Sequence, residues 1–167
     1  RSLTTGSLIW SQTSNPSALD DAAWGVAVDG SGVYIVGYDF AGSGIDYEWR
    51  IEKRSLTTGS LIWSQTSNPS AGDDRAYGVA VDGSGVYIVG YDYSSGNYEW
   101  RVEKRGLTDG SLIWSQTSNP SSGDDVAYGV AVDGSGVYIV GYDRSPGNDE
   151  WRIEKRSLTT GSLTWTQ

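Results

Sequence analysis

Short valine- and tyrosine-rich runs broken by glycine set the pattern of this chain. Between Ser67 and Thr117, Ala76-Tyr-Gly-Val-Ala-Val-Asp82 is a compact apolar run. Gly83-Ser84 interrupts it, and Val86-Tyr-Ile-Val-Gly-Tyr91 follows as a second β-branched and aromatic run. Two such runs closed by Asp-Gly-Ser-Gly predict a β-hairpin whose glycines supply the positive φ of the turn. Both faces of these runs are apolar, which predicts burial on both. Tyr98-Glu-Trp-Arg-Val-Glu-Lys104 alternates instead, with Trp100 and Val102 set against Glu99, Arg101 and Glu103. Period two predicts a half-exposed strand. Leu107-Thr-Asp-Gly-Ser111 reads as a turn and Leu112-Ile-Trp-Ser-Gln-Thr117 as a fourth strand. Pro120 then breaks the pattern, because proline lacks the donor a ladder requires. No stretch carries helical periodicity, so the chain reads as all-β, with strands a, b, c and d in each unit.

The unit is repeated. Arg1 opens RSLTTGSLIWSQTSNPS, which returns at Arg54, returns at Arg105 as RGLTDGSLIWSQTSNPS, and starts again at Arg156 as RSLTTGSLTWTQ; the offsets are 53, 51 and 51 residues. Repeats of this period are supersecondary units that bury their faces by stacking on one another. Four antiparallel strands with a buried inner edge describe a propeller blade. The expected division is an unpaired outer d strand over 1–13, then blades over 14–66, 67–117 and 118–167. That gives four d strands for three a-b-c sheets. Propellers typically hold 4–8 blades, so either the chain is cut from a longer array or copies assemble; the expectation is a chain that closes by self-assembly. Two copies would make six blades, with the spare d strands competing or exchanging.

The stretch D-D-x-A-Y-G-V-A-V-D-G-S-G-V-Y-I-V-G-Y, at Asp73–Tyr91 and Asp124–Tyr142, resembles the bacterial and archaeal β-propeller repeat family called SBBP. Asp20–Tyr38 is similar, with Trp24 in place of tyrosine. Glu99–Lys104 and Gly110–Trp114 resemble the second half of that repeat. The resemblance implies a propeller and an extracellular or cell-surface setting, and it assigns no activity. The chain lacks the Gly-Gly doublet of kelch repeats and the Trp-Asp strand end of WD40 repeats.

Hydrophobic residues make up 37% of the chain, a low share offset by 8 Trp and 11 Tyr, which bury large areas each. The net charge of −9 repels phosphate backbones and argues against nucleic acid. With no Cys and no His, thiol chemistry, Ser-His-Asp and Cys-His arrangements and the usual zinc ligands are missing. With no Met, the chain is expected to be a processed or excised segment. No apolar run reaches the ~20 residues that span a bilayer.

The carboxylate pairs Asp20-Asp21, Asp73-Asp74 and Asp124-Asp125 precede each strand a. They could cap loop N–H groups, hold Ca²⁺ through oxygen ligands, or act as an acid and base on a glycoside. Their threefold recurrence favours a structural or multivalent role, since a catalytic site needs unequal environments. The Asp-Gly-Ser-Gly turns offer too few oxygens for an EF-hand. Trp49, Trp100 and Trp151 on strand c, and Trp10, Trp63, Trp114 and Trp165 on strand d, are expected to pack between blades, with sugar stacking as the alternative. The Glu-Arg-Glu columns (Glu48, Arg50, Glu52 and their repeats) read as surface groups that serve solubility and register. The units differ most at the b-to-c loops, Phe40–Tyr47, Tyr93–Tyr98 and Arg144–Asp149, and at Ala22, Arg75 and Val126. Phe40, Tyr47, Arg75, Tyr93, Tyr98, Arg144 and Asp149 are therefore the candidate ligand-binding residues for a glycan or protein. The expected function is a non-catalytic, self-assembling scaffold or interaction module. A multivalent lectin, with Ca²⁺ or without, is the alternative, and a glycosidase ranks behind it.

Overall fold

The computed structural model describes residues 1–40, 42, 46–94, 96–145 and 147–167. These fold into three four-stranded antiparallel sheets with no helix among the described residues. Blade 1 holds β1 (Ala22–Asp29), β2 (Gly32–Phe40), β3 (Tyr47–Arg54) and β4 (Leu61–Ser67). Blade 2 holds β5 (Arg75–Asp82), β6 (Gly85–Ser94), β7 (Asn97–Arg105) and β8 (Leu112–Ser118). Blade 3 holds β9 (Val126–Asp133), β10 (Gly136–Arg144), β11 (Asp149–Arg156) and β12 (Leu163–Thr166). In each blade the strands lie in chain order, so every connection joins neighbours. The chain is all-β, built from propeller blades, and the arc of three is not closed.

The hairpins form, but for a different reason from the one glycine suggests. Neither Gly30 nor Gly32 takes a positive φ, and the same holds for Gly83, Gly85, Gly134 and Gly136. The Asp29 carboxylate instead accepts from the Ser31 N–H at 2.7 Å, the Gly32 N–H at 3.0 Å and the Ser31 hydroxyl at 2.8 Å. Asp82 and Asp133 repeat the arrangement. An aspartate that caps its own turn substitutes for special backbone geometry.

The core lies between blades. Tyr34, Val36, Trp49 and Ile51 of blade 1 pack on Ala76, Val86 and Ile88 of blade 2. One repeat later, Tyr87, Val89, Trp100 and Val102 pack on Ala127, Val137 and Ile139 of blade 3. Trp49 and Trp100 are fully buried, and each indole N–H donates at 2.9 Å to a carbonyl of the next blade, that of Tyr91 or Tyr142. The interblade role expected of tryptophan therefore holds at these positions. Strands b and c carry the burial, whereas strand a is half exposed along most of its length. This corrects the expectation that a and b are the buried pair. Strand a forms one edge of each sheet, so part of its apolar surface has no neighbour to cover it.

The Glu-Arg columns are also more buried than alternation implies. Glu103 and Glu154 are fully buried. Glu103 takes the Arg101 guanidinium at 2.9 Å, the Arg105 guanidinium at 2.7 Å and the Ser67 hydroxyl of blade 1 at 2.6 Å. Glu154 repeats this with Arg152, Arg156 and Ser118. Glu52, at 5% exposure, is held by Arg54, Arg50 and Ser14, and its pKa falls because the Arg54 and Ser14 bonds outweigh the opposing effect of burial. Buried carboxylates need this degree of pairing to be tolerated.

Residues 1–21 belong to no sheet. They still place side chains on blade 1 as β4 does on blade 2. The Trp10 indole donates to the Leu56 carbonyl at 3.0 Å, as Trp63 does to that of Leu107 and Trp114 to that of Leu158.

Candidate functional site

One end of the blades gathers most of the variable positions. Each inner strand contains a one-residue bulge, between Ala23 and Gly25 in β1 and between Ala76 and Gly78 in β5, with β9 slipping likewise opposite Val140 and Gly141. The residue left out of the ladder is Trp24, Tyr77 or Tyr128. A bulge re-aims the extra side chain, and here it sets three rings in a row across three blades. Trp24 meets Tyr77 edge-on at 5.7 Å, and Tyr77 meets Tyr128 at 5.1 Å. Trp24 and Tyr128 are 59% and 50% exposed, with Tyr77 half buried between them, so the row meets solvent at its two ends. Tyr91 joins at 5.8 Å from Tyr77, and Tyr142 at 6.0 Å from Tyr128.

Around this row the candidate loop residues pair across strands. Phe40 stands opposite Tyr47, Tyr93 opposite Tyr98 and Arg144 opposite Asp149. The first two are edge-to-face aromatic pairs at 5.7 and 5.6 Å, and the third is an ion pair at 2.8 Å. The middles of these loops, residues 41, 43–45, 95 and 146, lie outside the described residues. Arg75 sits over the Tyr38 ring at 4.5 Å and the Tyr47 ring at 4.9 Å, and donates to Asp73 at 2.7 Å. Burial opposes its charge, but the Asp73 bond outweighs this and its pKa is raised. Tyr91 donates to Asp73 at 3.1 Å. Burial raises the Tyr91 pKa, and it lifts that of Tyr142 to about 12. These phenols therefore stay protonated near neutrality.

The two aspartates of each pair have different jobs. Asp74 and Asp125 are fully buried. Asp74 accepts from the Ser70 hydroxyl at 2.7 Å, the Ser70 N–H at 3.2 Å and the Tyr93 N–H at 2.9 Å. Asp125 does the same with Ser121 and the Arg144 N–H. Each ties the turn before strand a to the start of its own b-to-c loop, which is loop capping. Asp21 takes the Ser17 hydroxyl at 2.7 Å. The first members are freer: Asp20 is exposed, Asp73 holds Arg75, and Asp124 accepts from the Tyr98 N–H at 3.1 Å. Among the described residues, no three His, Cys, Asp or Glu side chains converge as a metal ion would require.

A further feature was invisible to pattern reading. Asp39, Asp92 and Asp143 each leave one carboxylate oxygen buried without a hydrogen-bond partner. Each stands directly opposite a glutamate, Glu48, Glu99 or Glu150. Burial, reinforced by Glu48, pushes Asp39 up to about 6, and burial also raises Asp92. A period-two pattern shows that Asp and Glu lie on one strand pair, but not that they face each other.

No known protein family model matches this chain, and no curated protein matches it either.

Proposed function

We propose that this chain is a non-catalytic propeller module that self-associates and recognises a ligand with the loop ends of its blades. The observation that carries this reading is the ring row Trp24–Tyr77–Tyr128, exposed at both ends and flanked by Arg75 and the loop pairs. Within a near-identical frame, most of the side chains that vary between units collect on this one end, as expected of recognition on a rigid scaffold. The capping carboxylates are consumed by hydrogen bonds within the chain, which favours a scaffold over a pair of poised catalytic acids. The likeness to SBBP repeats supports the same reading and a cell-surface or secreted setting.

A carbohydrate is the ligand class the face suits best. Aromatic rings stack on the apolar faces of sugars, while Asp20, Asp73, Asp124 and Arg75 offer acceptors and donors for hydroxyls. A glycan array probed with and without chelator tests this. Binding that falls at least ~10-fold in Tyr77→Ala, equivalent to ~1.4 kcal/mol, is the expected result. Binding that is unchanged in Tyr77→Ala and Arg75→Ala places recognition elsewhere, and binding lost only with chelator brings Ca²⁺ into the site.

A further inference from the structure

The two ends of the arc expose the two halves of the interface that joins its blades. The contacts between blades 1 and 2 recur between blades 2 and 3, residue for residue. On the far side of blade 3 the same positions are bare: Val140 is 47%, Trp151 92% and Ile153 38% exposed. Their counterparts Val36, Trp49 and Ile51 are at most 1% exposed. On the near side of blade 1, Ala23 is exposed and Val33 and Ile35 are half buried, whereas their counterparts Ala76, Val86 and Ile88 are fully buried. Each end is concave. A hollow of about 550 Å³ runs beside Val140, Trp151 and Ile153. A groove of about 190 Å³ runs between Trp10, Pro16, Ala23, Ile35 and Tyr38.

Three finer signs identify what fits there. A Cβ on Gly25 would lie 2.5 Å from the Tyr77 carbonyl, and one on Gly78 2.6 Å from that of Tyr128; at Gly129 no neighbouring carbonyl approaches. The Lys53 ammonium donates to the Leu107 carbonyl at 2.9 Å and Lys104 to that of Leu158 at 3.0 Å, whereas Lys155 reaches only Ser135 of its own blade. Trp49 and Trp100 each donate to the next blade, whereas Trp151 stands in solvent. In each case the missing partner is an atom of blade 1: the Trp24 carbonyl, the Leu56 carbonyl and the Tyr38 carbonyl. A surface that lacks blade 1, beside a blade 1 that lacks its neighbour, fits a second copy of this chain.

We propose that two copies close head to tail into a six-bladed ring, blade 3 of each seated on blade 1 of the other, and that residues 8–14 of each copy become the outer strand of the other's blade 3. This rests on the self-associating reading above and specifies its contacts. The strand exchange follows from a conflict over one acceptor. By repeat equivalence, Trp165 would donate to the second copy's Leu56 carbonyl, which Trp10 of that copy already occupies. Evicting residues 8–14 would break the Trp10 bond, the Gln12 bond to Thr58 and the Ser14 bond to Glu52. Evicting β12 breaks its ladder with β11, which the incoming strand rebuilds in the β3–β4 register. A heterologous contact of this kind gives a ring when its rotation closes and a filament when it does not.

The β3–β4 register places Thr66 opposite Arg50, so exchange places Thr13 opposite Arg152 of the other copy. Ile153 and Gln167 exchange both backbone bonds, at 2.9 and 3.0 Å. The adjacent position is therefore a close, non-hydrogen-bonded pair, suited to a disulfide. The chain has no cysteine of its own. The test is Thr13→Cys with Arg152→Cys, oxidised and run on a non-reducing gel, beside light scattering of the parent and of Trp151→Ala. A covalent dimer, with a parent dimer that Trp151→Ala shifts to folded monomer, is the expected result. A dimeric parent whose folded double-cysteine variant forms no covalent species overturns the exchange but leaves self-association standing. A folded parent that stays monomeric, or grows into polymers, overturns the ring.

Discussion

Trp49, Trp100 and Trp151 occupy one position of the repeat, yet the first two are fully buried and the third is 92% exposed. The same side chain should therefore carry very different energies. Trp100→Ala is expected to cost about 3–5 kcal/mol of folding stability, measured by denaturant unfolding. Trp151→Ala should cost a single chain less than about 0.5 kcal/mol, with any larger effect appearing only in the associated form. Asp39 gives a pH signature. Its folded pKa of about 6 lies above the ordinary 3.8, so the folded state holds the extra proton between those values. Stability from this group is then gained as pH falls through 6 and lost as pH rises through it. Facing it are Glu48, Arg50 and Asp21. Asp39→Asn should be more favourable relative to the parent at pH 8 than at pH 5, as read from urea midpoints. An equal difference at both values would show that the carboxyl is not perturbed.

At the scale of the element, the strands themselves were legible from alternation and from repetition. Val86–Tyr91 and Tyr98–Lys104 lie within β6 and β7. What could not be read was which strand pair forms the core. Burial depends on the next blade, and a single-strand pattern carries no information about its neighbour. Glu103 looks like a surface residue by its period, yet the Ser67 hydroxyl it accepts comes from another blade. Trp24, Tyr77 and Tyr128 fell inside apolar runs and read as core; the bulge turns Trp24 and Tyr128 towards solvent and leaves Tyr77 half buried between them. Of the candidate loop residues, the register shows that they form cross-strand pairs, which their spacing alone did not reveal. The close approach of adjacent inner strands supplies a further test. Gly78→Ala should destabilise the chain in thermal unfolding, because the new Cβ meets the backbone carbonyl of Tyr128 at 2.6 Å. Gly129→Ala meets only the Val140 side chain, at 2.9 Å, and that half-exposed valine can turn away, so an isolated chain should lose less stability there. Equal loss at both positions would mean that the close carbonyl is not the constraint.

For the whole molecule, repetition has a consequence that a sequence of unlike elements would not have. Each blade is half of two interfaces, so any arc short of a ring ends in two complementary apolar faces. Val26 and Val28 are 70% and 62% exposed at one end and Trp151 is bare at the other. Large uncovered apolar surfaces of this kind mark contact sites. The proposed recognition face lies at the loop ends, so ring closure would bring two rows of aromatic rings around one axis and double its valency. The most direct measurement is the mass of the unaltered chain in solution, by light scattering across a dilution series. Twice the 18.0 kDa of one chain, persisting on dilution, is the result expected of a closed pair. A folded species at 18.0 kDa at every concentration would contradict it.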